Sequence, residues 1–341
     1  MKRLIVIFLA VFAIFIPRAK AQSPAPLKLI QSYKMPAAVR GHFDHFGVDL
    51  QGNRLFSAAE GDKAVLVFDL RTGRLIHTIG GIGIPHAILY REDLQRIYVT
   101  DGGTGALRIY DGKRYQLLKT VKLLVDSDSI AYDPSTKDLY IVNGGGDAHQ
   151  TYSTISVVNT TTGAKVADMK IDGDTLEAMA LEQSSSKMYV NNRAKNQIDV
   201  IDRNKRTILA VWPVTRAKFN VAMAFDEPHH RLFVGCRSGE IVVFDTRTGK
   251  ELQALPIGRG VDDLVFDPSS KRIYASCGAG AGSVDVYEEQ SPDHYKYLGN
   301  VPSGPGGKTA RLVPQLRRYY VAVPAQGSTP AEVLVYEVTG T

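Results

Sequence analysis

The chain has 341 residues, a net charge of +6 at neutral pH, 44% hydrophobic residues and two cysteines. This length is sufficient for a well-buried core, and no linker-like stretch divides it into several domains. The basic residues are spread evenly, without a basic run interleaved with aromatic residues, so the charge gives no indication of a nucleic-acid partner.

Residues 1–21 have the pattern of a secretory signal peptide. Two basic residues precede an apolar run over residues 4–16, and residues 19–21 form a small-x-small cleavage site. The run is shorter than the roughly 20 apolar residues that a membrane span needs, so we expect cleavage before Gln22 and no anchor. Cleavage would lower the net charge to +2 and leave residues 22–341 as one exported domain, periplasmic or extracellular.

The rest of the chain repeats one unit seven times. An aromatic residue in the second predicted strand marks each copy, and neighbouring markers are 41 to 49 residues apart. The aromatic markers are Phe56, Tyr98, Tyr140, Tyr189, Phe233, Tyr274 and Tyr320. Acidic or amide markers end the third predicted strand in the same phase: Asp69, Asp111, Asn159, Asp202, Asp245, Glu288 and Glu337. A period of about 40 to 50 residues with four short strands is typical of a propeller blade.

The sequence therefore predicts an all-β protein, a seven-bladed β-propeller with four-stranded blades. The seventh copy has only three strands, because the chain stops shortly after residues 333–338, VLVYEV. Residues 27–35, LKLIQSYKM, have strand character and precede the first copy. We expect this segment to complete the last blade and close the ring, which leaves only short edges.

Residues 98–101, YVTD, and residues 189–192, YVNN, resemble the YVTN repeat of exported bacterial seven-bladed propellers that are often described as YncE-like. The resemblance covers nearly all of the chain after the signal segment, and it implies the same fold and an exported protein. It implies no particular activity, because a fold of this kind does not settle function.

Two copies are longer than the others, and in both the extra residues fall between the second and third strands. These insertions are residues 144–153, GGGDAHQTYS, and residues 324–331, PAQGSTPA. Insertions in repeat arrays tend to mark the binding face, although neutral drift in an exposed loop gives the same pattern. In a propeller these loops and the starts of the first strands belong to one end of the ring.

Ionisable residues recur near the start of the first strand. The seven equivalent positions carry Asp44, His86, Asp128, Glu177, Val221, Asp262 and Lys308. A closed ring would place them around the mouth of the central channel, where they would perturb one another's pKa values. Within the resemblance, the elements Asp44-His45, Pro85-His86, Glu177, Asp262-Asp263 and Lys308-Thr309 look like the family's pattern at these positions.

Two interpretations of this ring are open: a ligand site, or the polar lining of a water-filled channel. The ligand-site hypothesis is a binding protein that takes a small polar ligand, a metal or a protein partner on Asp44, His86, Asp128, Glu177, Asp262 and Lys308. No cofactor is certain. A divalent metal is one candidate occupant, with Asp44, Glu177 and Asp262 as ligands.

Two other functional classes remain. A hydrolase similar to propeller lactonases would use that metal to activate water, with His86 as the base. A non-catalytic envelope scaffold would need neither metal nor pocket. The sequence identifies no catalytic residue, favours a non-enzymatic binding protein, and predicts a monomer.

Cys236 and Cys277 each lie three residues after an aromatic marker, in copies five and six. Export would expose them to oxidising conditions, so a disulfide between adjacent blades is one hypothesis. The other hypothesis is that both thiols are reduced and lie too far apart to form a bridge. Two thiols alone do not make a metal site. The pair His229-His230 falls in a predicted turn and is interpreted as solvated.

Overall fold

The computed structural model describes residues 25–340, so the predicted signal segment 1–21 lies outside the described residues. The described chain contains 28 β-strands in seven four-stranded antiparallel sheets. The strands are β1 (Leu27–Lys34), β2 (Phe43–Asp49), β3 (Arg54–Ala59), β4 (Ala64–Asp69), β5 (Leu75–Ile79), β6 (Pro85–Arg91), β7 (Arg96–Asp101), β8 (Ala106–Asp111), β9 (Leu117–Lys122), β10 (Ile130–Asp133), β11 (Asp138–Gly144), β12 (Tyr152–Asn159), β13 (Ala164–Asp172), β14 (Leu176–Leu181), β15 (Lys187–Asn192), β16 (Gln197–Asp202), β17 (Thr207–Pro213), β18 (Asn220–Asp226), β19 (Arg231–Cys236), β20 (Glu240–Asp245), β21 (Lys250–Pro256), β22 (Val261–Asp267), β23 (Arg272–Cys277), β24 (Ser283–Ser291), β25 (His294–Pro302), β26 (Thr309–Val313), β27 (Arg318–Val323) and β28 (Glu332–Val338).

Helical structure in residues 25–340 consists of short 3-10 helices at Glu60–Asp62, Glu92–Leu94, Gly146–Ala148, Arg193–Lys195 and Pro314–Leu316. Within this described range, the structure has no helix with the length and apolar character that a membrane crossing requires.

Six blades are built from four consecutive strands, starting with β2 to β5 as blade 1 and ending with β22 to β25 as blade 6. Blade 7 combines β26, β27 and β28 with the N-terminal strand, in the order β1-β28-β27-β26. Leu27 pairs with Val338 and Lys34 with Glu332, so strands from the two ends of the described chain are antiparallel neighbours in one sheet. The predicted seven-bladed propeller and its closure by the N-terminal strand are confirmed.

The core lies between the blades, in seven apolar clusters that each join two neighbours. Successive side chains of a strand point to opposite faces, so the second strand of every blade contributes to the clusters on both of its sides. In β3, Phe56 packs towards blade 2 and Leu55 towards blade 7. In β7, Tyr98 packs towards blade 3 and Ile97 towards blade 1. The aromatic markers recur in phase because each fills the junction with the next blade, where burial stabilises the fold by about 1.5–3 kcal/mol per side chain.

The Asp markers at the ends of the third strands in blades 1, 2, 4 and 5 are structural. Oδ1 of Asp69 accepts hydrogen bonds from the backbone N–H groups of Arg71 and Thr72, at 3.0 and 2.8 Å. Asp111 accepts two bonds of the same kind, at 2.9 and 2.7 Å. A carboxylate at this position therefore holds the turn into the fourth strand, which explains its recurrence without a ligand.

Both cysteines are free and buried, so the disulfide hypothesis does not hold in this structure. They end β19 and β23 at equivalent positions but belong to different apolar clusters. Cys236 packs between blades 4 and 5, and Cys277 packs between blades 5 and 6. Burial raises the pKa of both thiols, which therefore stay protonated and act as small apolar side chains.

Candidate ligand site at the channel mouth

A cavity of about 480 Å³ opens at the channel mouth, where the first strands of the blades begin. Its wall contains all six predicted residues, with Val221 in the place of blade 5: Asp44, His86, Asp128, Glu177, Asp262 and Lys308. Loops between second and third strands complete the wall, so the two features expected at one end of the ring are found there. The predicted placement is confirmed, whereas the predicted binding role stays a prediction.

Bulges at the starts of first strands decide which side chains reach the cavity. The pairing of β2 with β3 shifts register near its start, which interrupts the alternation of side chains. Asp44 and its neighbour His45 therefore both line the cavity. A similar shift at the start of β22 leaves Asp262 at the mouth, while Asp263 lies deeper, against the channel wall.

Two imidazoles and two carboxylates form one side of the mouth, here named the imidazole side: Asp44, His45, His86 and Asp128. Nδ1 of His86 lies 2.5 Å from Oδ2 of Asp44 and 3.9 Å from Oδ1 of Asp128. Nε2 of His45 lies 3.3 Å from Oδ1 of Asp44, and its Nδ1 lies 3.0 Å from Oδ1 of Asp263. His45, in blade 1, thus links the mouth to blade 6, past the first strand of blade 7.

The charges of the imidazole side are strongly coupled. Burial alone would raise the pKa of Asp44, but His45 and His86 outweigh it and hold that pKa low. Burial opposes protonation of His86, yet its hydrogen bond to Asp44 and the charge of Asp128 raise its pKa to about 9. Burial, with the charges of Asp44 and Glu177, raises the pKa of Asp128 to about 7. Oδ1 of Asp128 is buried and accepts no hydrogen bond from the described residues.

The opposite side of the mouth is held by permanent cations and is named here the ion-pair side: Glu177, Arg193, Arg237, Asp262 and Lys308. Arg193 Nη1 lies 3.0 Å from Glu177 Oε1. Asp262 is shared, with Arg237 Nη2 at 2.5 Å from Oδ1 and Lys308 Nζ at 2.7 Å from Oδ2. Burial disfavours the charged forms of Arg237 and Lys308, but Asp262 outweighs that cost and raises both pKa values.

The metal set predicted from the sequence is not assembled. Asp44, Glu177 and Asp262 line one cavity, but the last two are occupied by ion pairs on the far side. In residues 25–340, the donor sets at the mouth whose atoms all lie within 4.8 Å are Asp44 with His45 and Asp128, and Asp44 with Glu60 and His86. A metal at the mouth would therefore bind the imidazole side alone.

Three residues of the wall were missed although the repeat contains their signal. Glu60, Arg193 and Arg237 each lie four residues after an aromatic marker, where the loop to the third strand begins. Glycine takes this place in blades 2 and 6 because the neighbouring functional side chain needs the room. A Cβ on Gly102 would come within 2.6 Å of His86 Nε2, and one on Gly278 within 2.8 Å of Lys308 Cβ.

Four carboxylates of the wall make no ion pair within 4.0 Å in the described part of the chain: Glu60, Asp126, Asp147 and Asp174. Asp147 comes from the insertion of blade 3, which therefore does face the cavity, as expected for a binding loop. The insertion of blade 7 contributes no residue to this wall. Apart from Glu60, these carboxylates follow no repeat phase, so the repeat pattern could not have identified them.

Below the mouth the channel wall is more apolar. A second cavity of about 380 Å³ is lined by residues such as Leu89, Met179 and Val265, with Arg311 as a cation further down. Arg311 is exposed to the channel, and its guanidinium makes no ion pair within 4.0 Å among residues 25–340. A strongly polar ligand is therefore better solvated at the mouth than inside the channel.

The chain matches no protein-family model and no curated protein. Its fold is similar to solved structures. One chain of the crystal structure of a mitotic checkpoint complex aligns with a TM-score of 0.76 at 14% identity, over 97% of this chain and 99% of that one. The structure of U3-55K aligns with a TM-score of 0.71 at 14% identity, over 88% of this chain and 97% of that one. At this identity the likeness establishes the propeller fold alone.

Proposed function

We propose that this chain is a non-catalytic binding protein that holds a small cationic ligand, such as an organic amine, at the channel mouth. The observation that carries the proposal is Oδ1 of Asp128, a buried carboxylate oxygen that lacks a hydrogen-bond donor in the described chain. A buried acceptor of this kind costs free energy until a donor or cation satisfies it.

The surrounding charges favour a cation over an anion. The carboxylates Glu60, Asp126, Asp147 and Asp174 line the same wall as Asp128 and make no ion pair within 4.0 Å among the described residues. The Arg and Lys side chains that could attract an anion are already paired with Glu177 and Asp262. An ammonium group would form charge-assisted hydrogen bonds with Asp128, and a cavity of about 480 Å³ has the size of a small-molecule site.

Melting curves with matched small ligands test the proposal. Putrescine and ethanolamine should raise the melting temperature, whereas succinate should not, since only a ligand of the folded state adds stability. Asp128→Asn should abolish the amine effect. Asp172→Asn, at a carboxylate whose side chain is 83% exposed on an outer strand, is the matched control and should retain it. Equal responses to amines and succinate, or an unchanged amine response in Asp128→Asn, would overturn the proposal.

A hydrolase is the second candidate, favoured by one observation. The donor atoms of Asp44, His45 and Asp128 lie within 4.8 Å of one another, which suits a metal ion that activates water. Lactone hydrolysis assayed with and without added Zn²⁺ or Ca²⁺ separates the two candidates. Turnover that Asp44→Asn eliminates would favour the hydrolase, and binding without turnover would favour the binding protein.

A scaffold role has less support. The exposed large apolar side chains of the outer strands are distributed over six blades instead of forming one patch. Scattered residues of this kind are normal on a soluble surface. A protein partner with a basic segment would satisfy the same carboxylates as an amine, and pull-down with a Lys-rich peptide, competed by putrescine, measures that.

We also propose that the chain is an exported, monomeric member of the YVTN-repeat propellers. The basic, apolar and small-residue segments of residues 1–21 and the YVTD and YVNN strands support this. Intact-mass measurement of secreted material should give an N-terminus at Gln22, and light scattering should give the monomer mass. A retained N-terminus would contradict export by cleavage.

A further inference from the structure

A second cluster of ionisable side chains lies at the other end of the strands, away from the mouth. Asp226 ends β18 in blade 5, His229 lies in the turn that follows, and Glu289 lies near the end of β24 in blade 6. Donor atoms of the three residues all lie within 4.8 Å of one another. The cluster therefore bridges two neighbouring blades.

The two carboxylates are deeply buried and share one imidazole. Asp226 is 3% exposed and Glu289 is 2% exposed. Nδ1 of His229 lies 2.6 Å from Oδ2 of Asp226 and 3.9 Å from Oε2 of Glu289. Neither carboxylate oxygen of Glu289 accepts a hydrogen bond from the described residues. Two buried acids with a single imidazole between them gain from a further positive charge, either a shared proton or a metal ion.

The neighbouring cations do not supply that charge. Arg231 pairs with two other carboxylates. Its Nε lies 2.9 Å from Oδ1 of Asp293, and its Nη1 lies 3.6 Å from Oδ2 of Asp245. Lys271 makes no ion pair with Glu289 within 4.0 Å in residues 25–340.

The repeat provides an internal comparison. Glu289 follows the third-strand marker of blade 6, and Arg203 occupies the equivalent position in blade 4. Arg203 Nη2 lies 3.5 Å from Oδ2 of Asp133, which ends the first strand of blade 3 as Asp226 does in blade 5. One junction thus pairs a carboxylate with a guanidinium, and the other places two carboxylates together. The second junction lacks the built-in cation of the first.

We propose that Asp226, His229 and Glu289 bind a divalent metal ion of the Zn²⁺ type, which joins blades 5 and 6. Two carboxylates and one imidazole are ligands that Zn²⁺ accepts at about 2.0–2.2 Å, with water in an open position. The imidazole side chain is 44% exposed, so the site is open to solvent, and the turn can adjust when the ion enters. The ion would stabilise the folded chain, because the unfolded chain has no such site.

Zinc titration of the full chain tests this site. Protein stripped with EDTA and then freed of the chelator should bind one Zn²⁺ at this cluster, and its melting temperature should rise by several degrees. Glu289→Gln should abolish that response, and its metal-free form should melt no lower than metal-free wild type, because a buried charge is removed. Glu288→Gln changes the partly buried neighbouring carboxylate and should keep the full response.

Two further variants keep the test decisive. His229→Asn, on the exposed turn, should retain the fold and lose the visible absorption of bound Co²⁺. Asp128→Asn at the channel mouth should keep the zinc response of the blade 5–6 cluster, so this site and the proposed amine site fail independently. No zinc-dependent shift in wild type, or a shift that survives in Glu289→Gln, would overturn the proposal and leave Asp226 and Glu289 as a proton-sharing pair.

Discussion

The two sides of the channel mouth occupy equivalent positions of the repeat and yet are compensated in different ways. On the ion-pair side, Asp262 is neutralised by the permanent cations Arg237 and Lys308. On the imidazole side, Asp44 is neutralised by His45 and His86, whose charges are titratable. The first side is therefore a fixed structural element over the physiological pH range, and the second changes its charge with pH and with any bound cation.

This difference locates the proposed binding site. A ligand gains most where the free protein leaves a buried oxygen without a donor, and Oδ1 of Asp128 is such an atom among the described residues, whereas both oxygens of Asp262 are paired. A ring with the same compensation at every position would not distinguish one part of the mouth from another. The asymmetry therefore indicates that the imidazole side takes part in binding. Four predictions test whether the two sides differ in this way.

The largest effect is expected on the ion-pair side. Asp262→Ala leaves Arg237 and Lys308 close together without their anion and should lower the free energy of unfolding by about 2–4 kcal/mol. Urea denaturation at pH 7 measures this, with the exposed Asp172→Ala as the control. A loss no larger than that of the control would mean that the ion-pair side does not support the fold.

A somewhat smaller and pH-dependent effect is expected for His86→Asn. The pKa of His86 is raised to about 9, above its usual 6.5, so its stabilising contribution is complete below pH 6.5 and is lost as the pH rises through 9. The variant should lose about 1–3 kcal/mol at pH 6 and nothing at pH 10. His294→Asn, at an exposed histidine of blade 6, should be neutral at both pH values. An equal loss at pH 6 and pH 10 would contradict an electrostatic role.

Asp128→Asn should change stability in the opposite direction. The pKa of Asp128 is raised to about 7, so the folded state favours its protonated form, and that stability is lost as the pH rises from 3.8 through 7. An amide stays neutral, so the variant should be more stable than wild type by about 1–2 kcal/mol at pH 8 and equal to it at pH 3.5. Denaturation at the two pH values, in buffer without amines or metals, measures this. A variant less stable at pH 8 would show that the carboxylate is already compensated.

The smallest effect is expected from the exposed rim. Asp147→Asn should weaken amine binding roughly twofold at low ionic strength, without a change in melting temperature, because an exposed charge acts through screened attraction. Gln326→Ala, in the insertion of blade 7, should leave binding unchanged. Isothermal titration calorimetry at two salt concentrations measures amine affinity for both variants. Equal losses of affinity in Asp147→Asn and Gln326→Ala would show that the blade 3 insertion is no closer to the ligand than the blade 7 insertion.

Much of the site was accessible from the sequence because the repeat acts as an internal alignment. The phase that placed Asp44, His86 and Asp128 in one ring also places Glu60 and Arg193 four residues after their aromatic markers. What the phase does not contain is the bulge near the start of β2, which moves His45 into the cavity against the alternation of the strand.

The predicted metal set depended on contacts that the repeat phase does not contain. Asp44, Glu177 and Asp262 are equivalent by position, and position alone does not reveal which cation reaches each carboxylate. Arg193 comes from the loop after β15 in blade 4 and pairs with Glu177 of the same blade. Arg237 comes from the loop after β19 in blade 5 and pairs with Asp262 of blade 6. These ion pairs remove both carboxylates from the set.

The sequence by itself determined the ring: seven copies in phase, four strands in each, an N-terminal strand that completes the last blade, and ionisable residues at the mouth. These features follow from local alternation and from a period that only stacked blades can bury. The tertiary structure alone decided which charges meet. His45 and Asp263 are 218 residues apart in the chain and their side chains lie 3.0 Å apart, because closure of the ring brings blade 1 close to blade 6, with only blade 7 between them. Contacts of that kind depend on the geometry of the closed ring, which no local pattern encodes.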